Sequence, residues 1–263
     1  MTMSQYVLPV LYTLFIWWFS TGVILYLDGL PAWTFKWTML GATAFLLLAF
    51  LGLCVTARDT RTTGAYLSFT CALMIWAWQE VAFLLGYVTG ARRQACPPEA
   101  RGWRRTGFAI QAVLHHELAL VVLGACVTIA TWNAPNQTGF WTFMVLWIMR
   151  QSAKLNVFLG VRNLNESFLP VHLKYLQTYF TRKAMNPLFP LSVLIGSAVA
   201  WSLWDQATAT GIAAFEATSL TFAATLLTLA VLEHWFLVLP LPSEALWAWG
   251  MRSRADTAAG KQG

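Results

Sequence analysis

The chain has 263 residues, 58% of them hydrophobic and only 11% charged, with 15 Trp, a mean hydropathy of +0.57 and a net charge of +6. That balance excludes a soluble globular enzyme and describes an integral membrane protein. At about 20 residues per spanning helix, the length supplies roughly six to eight crossings and leaves no room for a soluble domain.

Apolar runs bounded by turn formers predict seven spans, at about 5–27, 37–57, 65–88, 108–131, 139–160, 187–204 and 214–239, and hence an all-α polytopic bundle. The breaks fall at Asp28-Gly29-Leu30-Pro31, Arg58-Asp59-Thr60-Arg61, Ala95-Cys96-Pro97-Pro98, Asn133-Ala134-Pro135-Asn136 and Asn186-Pro187, where turn formers meet polar side chains. The first span has no basic n-region and no Ala-x-Ala site before Asp28, so it is expected to stay in the mature protein. Two connections are long, at 89–107 and 161–186. In the second, Pro170 opens a short surface helix whose apolar face is expected to lie on the membrane surface. Residues 1–245 read as one transmembrane domain and 246–263 as a disordered cytoplasmic tail.

Orientation follows from the Lys and Arg residues. With seven spans, one side collects thirteen: Lys36, Arg92, Arg93, Arg101, Arg104, Arg105, Arg162, Lys174, Arg182, Lys183, Arg252, Arg254 and Lys261. The other side holds Arg58 and Arg61, and Arg150 and Lys154 lie within a span. By the positive-inside rule the N-terminus is outside the cytoplasm and the C-terminus inside it. The same rule accounts for the net charge without nucleic acid binding.

Glu80, His115, His116, Glu117, Arg150, Lys154, Glu233 and His234 all fall inside predicted spans. A charged side chain at the centre of a lipid-facing helix costs roughly 2.5 to 3.5 kcal/mol, so these groups are expected to face a protein interior or a wet cavity. Counted from the predicted helix ends at 1.5 Å per residue, they share a layer roughly 8 to 15 Å below the cytoplasmic surface. Asp28 sits at the mouth of the first span, and Asn156 lies near the same level. Arg150 and Lys154, four apart, share one helix face and can both point at acids on neighbouring helices.

Three readings of this layer stay open. It can be an ion-pair network locking the bundle, in which three acids, two cations (Arg150 and Lys154) and three histidines nearly neutralise one another, with Asp28 and Asn156 in the same structural polar layer. It can be a metal ligand set of Glu80, His116, Glu117, Glu233 and His234, although adjacent Glu and His residues sit about 100° apart on a helix, unlike the three-residue spacing of di-iron bundles. Or His115, His116 or His234 can ligate the magnesium of a chlorophyll-type pigment or a haem iron. The four cysteines, Cys54, Cys71, Cys96 and Cys126, form no CxxC pair and read as packing residues. Gly86 and Gly90 match GxxxG, and Asn136-Gln137-Thr138 matches a glycosylation sequon; both patterns are too common to carry weight.

Five stretches carry a family resemblance: Trp17 to Gly22, Tyr26 to Pro31, Trp78-Gln79-Glu80, His116-Glu117-Leu118, and Ser152 to Asn156 followed by Gly160 to Glu166. Together they resemble the PuhE family, photosynthetic complex assembly protein 2 of purple phototrophic bacteria. The similarity runs from about residue 5 to 190 and more loosely to Pro240. It implies a multi-spanning protein of the inner, intracytoplasmic photosynthetic membrane, needed for normal assembly of the reaction centre with its core (light-harvesting) antenna and tied to bacteriochlorophyll supply. Its implied partners are reaction centre, core antenna or pigment-synthesis proteins, and bacteriochlorophyll is the cofactor it suggests. No catalytic residue is carried over. The rival expectation is a membrane metal-dependent enzyme acting on a tetrapyrrole or isoprenoid. A carrier is disfavoured because no inverted repeat or paired broken helices are present.

Overall fold

A computed structural model describes residues 4–254. Seven long helices run in chain order: α1 Ser4–Asp28, α2 Phe35–Thr56, α3 Thr62–Leu84, α4 Gly102–Ala130, α5 Thr138–Leu159, α6 Leu188–Ala207 and α7 Ala214–Phe236. Six of them are long and apolar enough to cross a membrane. The expected seventh span, α5, has the length but not the apolarity, because Arg150, Gln151, Ser152, Lys154 and Asn156 crowd its second half. The protein is a multi-pass, all-helical membrane protein, and the described residues hold a single isolated β-bridge, Val161 to Arg182.

Helix ends differ from the expected ones for local reasons. α3 stops at Leu84 rather than 88 because Gly86, at φ 82°, takes the left-handed conformation that ends helices. The ring of His172 closes that end, with Nε2 2.9 Å from the carbonyl oxygen of Leu84; burial lowers the pKa of His172, so the neutral ring donates there. α4 starts at Gly102 rather than 108, and its extra turns carry Arg105, which donates to the carbonyls of Phe158 and Tyr179 and to Thr181 Oγ1. The seam of this long helix is thus pinned to the 160–187 connection.

Contacts place α2 on α3, α6 on α7, α5 against both α3 and α7, and α1 against α7. Towards the end away from most cations, Phe69 and Phe222 stack with centroids 4.2 Å apart, and Tyr12 and Tyr66 meet Phe222 edge-on. Each such aromatic pair contributes about 0.5–1.5 kcal/mol beyond its buried area, so this cluster joins α1, α3 and α7. A second cluster of Leu53, Ile75, Leu120, Val127 and Phe143 joins α2, α3, α4 and α5. Outward surfaces are apolar, and exposed Trp33, Trp37 and Trp103 at one end, with Trp132 and Trp141 at the other, form the aromatic belts of a membrane protein.

Connecting segments fold back onto the bundle. At the cation-poor end Asn136 is fully buried, and its side-chain amide reaches the carbonyls of Thr56, Asp59 and Gly64. The sequon therefore marks a buried structural amide. At the other end, the helix expected after Pro170 is a 3-10 helix, Val171–Tyr179. Its apolar face lies against the bundle and not on the membrane surface as expected: Leu173, Leu176 and Tyr179 are buried with Ala112 of α4. Gly90 leaves no room for a Cβ because the loop backbone there rests on Gln111 and Ala112.

The tail expected to be disordered from 246 onward is folded as far as Arg254; residues 255–263, including Lys261, lie outside the described residues. The 3-10 helix Ser243–Trp247 and the turns after it strap across α1. Trp18 and Trp247 exchange indole-to-carbonyl hydrogen bonds with this crossing, through Leu246 and Trp18 respectively. Trp249 covers Gly22, and Gly250 lies against the Gly22 backbone so closely that neither position has room for a side chain.

Candidate functional site

A cavity of about 690 Å³ lies among α1, α3, α4, α5 and α7 and is bounded at the cation-rich end by the 160–187 connection. Seven of the residues singled out from the sequence line it: Glu80, His116, Glu117, Arg150, Lys154, Glu233 and His234. The remaining wall is mainly apolar, with Leu73, Trp76, Val145, Leu146, Leu226 and Leu229 among its members. Helical spacing explains the convergence. Arg150 and Lys154 sit one turn apart on the face of α5 that meets α3, α4 and α7, while Glu80 and Glu117 are the acids that α3 and α4 bring opposite them.

The acids do not converge on one cation. Arg150 Nη2 donates to Glu80 Oε2 at 3.1 Å, whereas Lys154 Nζ donates to Glu117 Oε1 at 2.8 Å. The amide of Gln151 supplies a further, short bond to Glu117 Oε2. Glu233 pairs with neither cation; it accepts from the indole of Trp17 at 2.6 Å, which ties α7 to α1. Sequence spacing predicted a common layer, and the geometry divides it into two ion pairs and an indole–carboxylate bond.

The histidines separate as well. His234 is 1% exposed, with Nε2 2.9 Å from Ser152 Oγ and Nδ1 2.8 Å from the carbonyl of Ala230. A carbonyl only accepts, so Nδ1 carries the proton. His116 is 2% exposed, packs its ring against Phe83 at 4.5 Å, and has a buried Nδ1 with no hydrogen-bond partner. His115, next to it, is exposed on the outer side of α4 and does not line the cavity. Adjacent helix positions point about 100° apart, which is why only one of the pair faces inward.

Among the described residues no group of three His, Cys, Asp or Glu comes together in a way that could hold a metal ion. Glu80 and Glu117 each face a cation, Glu233 faces an indole, and both nitrogens of His234 are engaged, so of the expected ligand set of Glu80, His116, Glu117, Glu233 and His234 these four are held by other partners.

Asp28 and Asn156 stand apart from the cavity. Asn156 is fully buried and donates to Ser152 O and Ser192 Oγ, while its own oxygens accept from the amide of Asn186 at 3.0 and 3.2 Å. Asn186 Oδ1 in turn accepts from the backbone N–H of Leu188 and so caps the start of α6. Sequence reasoning missed Trp17, Gln151, Ser152, Asn186 and Ser192 as partners. Polar residues adjoining Arg150, and an Asn before Pro187, were the available signals. Gln79, at 1% exposure, also has no partner for either side-chain polar atom.

No solved structure matches the chain. A protein of Rhodobacter capsulatus, named "Uncharacterized 30.4 kDa protein in puhA 5'region", is 37% identical over 257 residues, covering 95% of this chain and 93% of its own. Residues 3–258 match the family described as "Protein of unknown function (DUF3623)", and with that extent of agreement the chain belongs to the DUF3623 family.

Proposed function

We propose that this protein is an assembly factor for the photosynthetic reaction centre and its core antenna, linked to bacteriochlorophyll supply or delivery in the inner photosynthetic membrane. The observation that carries the reading is the similarity over 95% of the chain to a protein named for its place in the puhA 5' region, a photosynthesis-operon context. The stretches resembling PuhE point to the same role, and four of them, at Trp17, Glu80, His116-Glu117 and Lys154, contribute side chains to the cavity. The cavity supplies a chamber in which a pigment or partner segment can be held by apolar walls and a few polar groups. The cation-rich end faces the cytoplasm.

Deletion of the gene in a phototrophic host, with complementation by the intact chain, tests this reading. Membrane absorption spectra should show reaction centre and core antenna falling together and returning on complementation. Unchanged spectra in the deletion strain would overturn it.

A further inference from the structure

We infer that the cavity binds an uncharged amphiphile whose polar end presents carbonyl oxygens to Arg150 and whose apolar body lies along Leu73, Val145, Leu146 and Leu226. The site is the chamber of the assembly reading, and the inference rests on that reading only for the identity of the natural ligand.

Three features select this chemistry. First, about 690 Å³ falls within the ordinary range for ligand sites of roughly 300–1,000 Å³, and the wall is mainly apolar. Second, the Arg150 side chain is 46% accessible where it lines the cavity, and its ion pair with Glu80 uses one contact from Nη2. A guanidinium carries five N–H donors, so it retains capacity for carbonyl acceptors. The His116 ring also lines the cavity, with its Nδ1 sealed within the protein, so the polar contact offered to a ligand is that of Arg150. Third, the charge balance rejects ionised ligands. The wall pairs two acids, Glu80 and Glu117, with two cations, Arg150 and Lys154, and its third carboxyl, Glu233, is bound to the Trp17 indole. An anion would find no unpaired cation to compensate its charge. A cation would have to leave water for a site where Glu233 is already bound to Trp17 and both other acids are already paired.

An acyl-ester lipid and an esterified tetrapyrrole both have this chemistry. Purified full-length protein in nanodiscs would be exposed to three photoreactive probes sharing one C16 chain with a mid-chain diazirine: a methyl ester, the free acid and the amine. Cross-linked residues would be mapped by mass spectrometry. The ester should label the cavity residues Leu73, Val145, Leu146 and Leu226 about tenfold more than the acid or amine does, the ratio expected for one good set of polar contacts. Unlabelled methyl palmitate displacing the ester more effectively than bacteriochlorophyll identifies a lipid ligand, and the reverse order identifies a pigment. The E80Q/R150Q protein, which removes the pair without changing net charge, should lose the preference for the ester. Ala77→Phe, which fills the cavity from α3, should lower labelling by all three probes. Labelling confined to outward residues such as Leu47, Leu51 and Leu194, equal labelling by the three probes, or no displacement by either competitor would each overturn the inference. Because these readouts need no photosynthetic complexes, they can fail while the assembly reading stands, and the reverse.

Discussion

Arg254 grips the carboxylate of Asp28, with Nε 2.9 Å from Oδ1 and Nη2 2.7 and 2.9 Å from Oδ1 and Oδ2, across 226 positions of sequence. The Asp28 side chain is 1% accessible, so the guanidinium is its main source of compensation at the end of α1. The same guanidinium donates to the carbonyls of Ser167 and Phe168, which binds the C-terminal strap, α1 and the 160–187 connection at one point. Phe168 also lines the cavity, so this clasp fixes one of its boundaries.

Removing one partner of a buried pair leaves the other charge uncompensated. Arg254→Leu should therefore destabilise the protein by about 3–5 kcal/mol, whereas the D28N/R254L protein should lose less. Denaturant unfolding in detergent micelles, followed by tryptophan fluorescence, measures both. Equal losses in the single and double variants would show that the clasp is not a buried ion pair.

The two cavity ion pairs should behave as separate units. Double-mutant cycles for Glu80 with Arg150 and for Glu117 with Lys154 should each give coupling above about 0.5 kcal/mol, and the crossed cycles, Glu80 with Lys154 and Glu117 with Arg150, should give less. Similar coupling in all four would restore the single shared network that helical spacing alone suggests.

Element existence was legible because an apolar run of about 20 residues is the length a bilayer core demands of a helix, and the residues between the runs are turn formers. The polar layer was legible for the same reason, since a charge in such a run must face inward. The pairing within it was not. Glu233 finds Trp17 and Lys154 finds Glu117 through contacts 216 and 37 positions apart, set by how helices pack and not by any local spacing. His115 and His116 illustrate the limit on a finer scale: both lie in an apolar run, but only the buried one has a place in the cavity. The strap escaped because Trp247, Trp249 and Arg254 sit in a short polar-flanked stretch with no helical period of its own.

Asp59 lies in the loop between α2 and α3, where the Arg61 side chain and backbone N–H hold its pKa down to about 2. A lowered carboxylate pKa contributes stability above the ordinary value of 3.8 and loses it as pH falls towards 2. Asp59→Asn should therefore separate from the parent protein in melting temperature at pH 6 and converge with it at the acid end. A constant difference across that range would assign the effect to geometry and not to charge.

Placement of the loops is open to direct measurement. Periplasmic reporters fused after Thr60 and after Asn136 should be active, and those after Arg93 and Lys183 inactive, because the cation-rich loops should remain in the cytoplasm. The inverse pattern would move the cavity's charged layer to the opposite leaflet and remove the positive-inside argument for its depth.

The histidines divide structure from binding. His234→Leu deprives both Ser152 and the Ala230 carbonyl of a partner in a buried setting and should cost about 1–3 kcal/mol. His116→Leu removes a ring whose Nδ1 has no partner, so stability should change little or rise. His115→Leu, on an outward face, should be close to neutral in both stability and complex assembly. In a phototrophic host, the His116→Leu protein should accumulate normally by immunoblot while reaction-centre and core-antenna absorption falls, because the ring then serves what occupies the cavity and not the fold. Normal complexes with normal protein would remove His116 from the functional site and shift attention to Arg150. Loss of the protein itself would assign His116 a structural role that its unpaired nitrogen does not suggest.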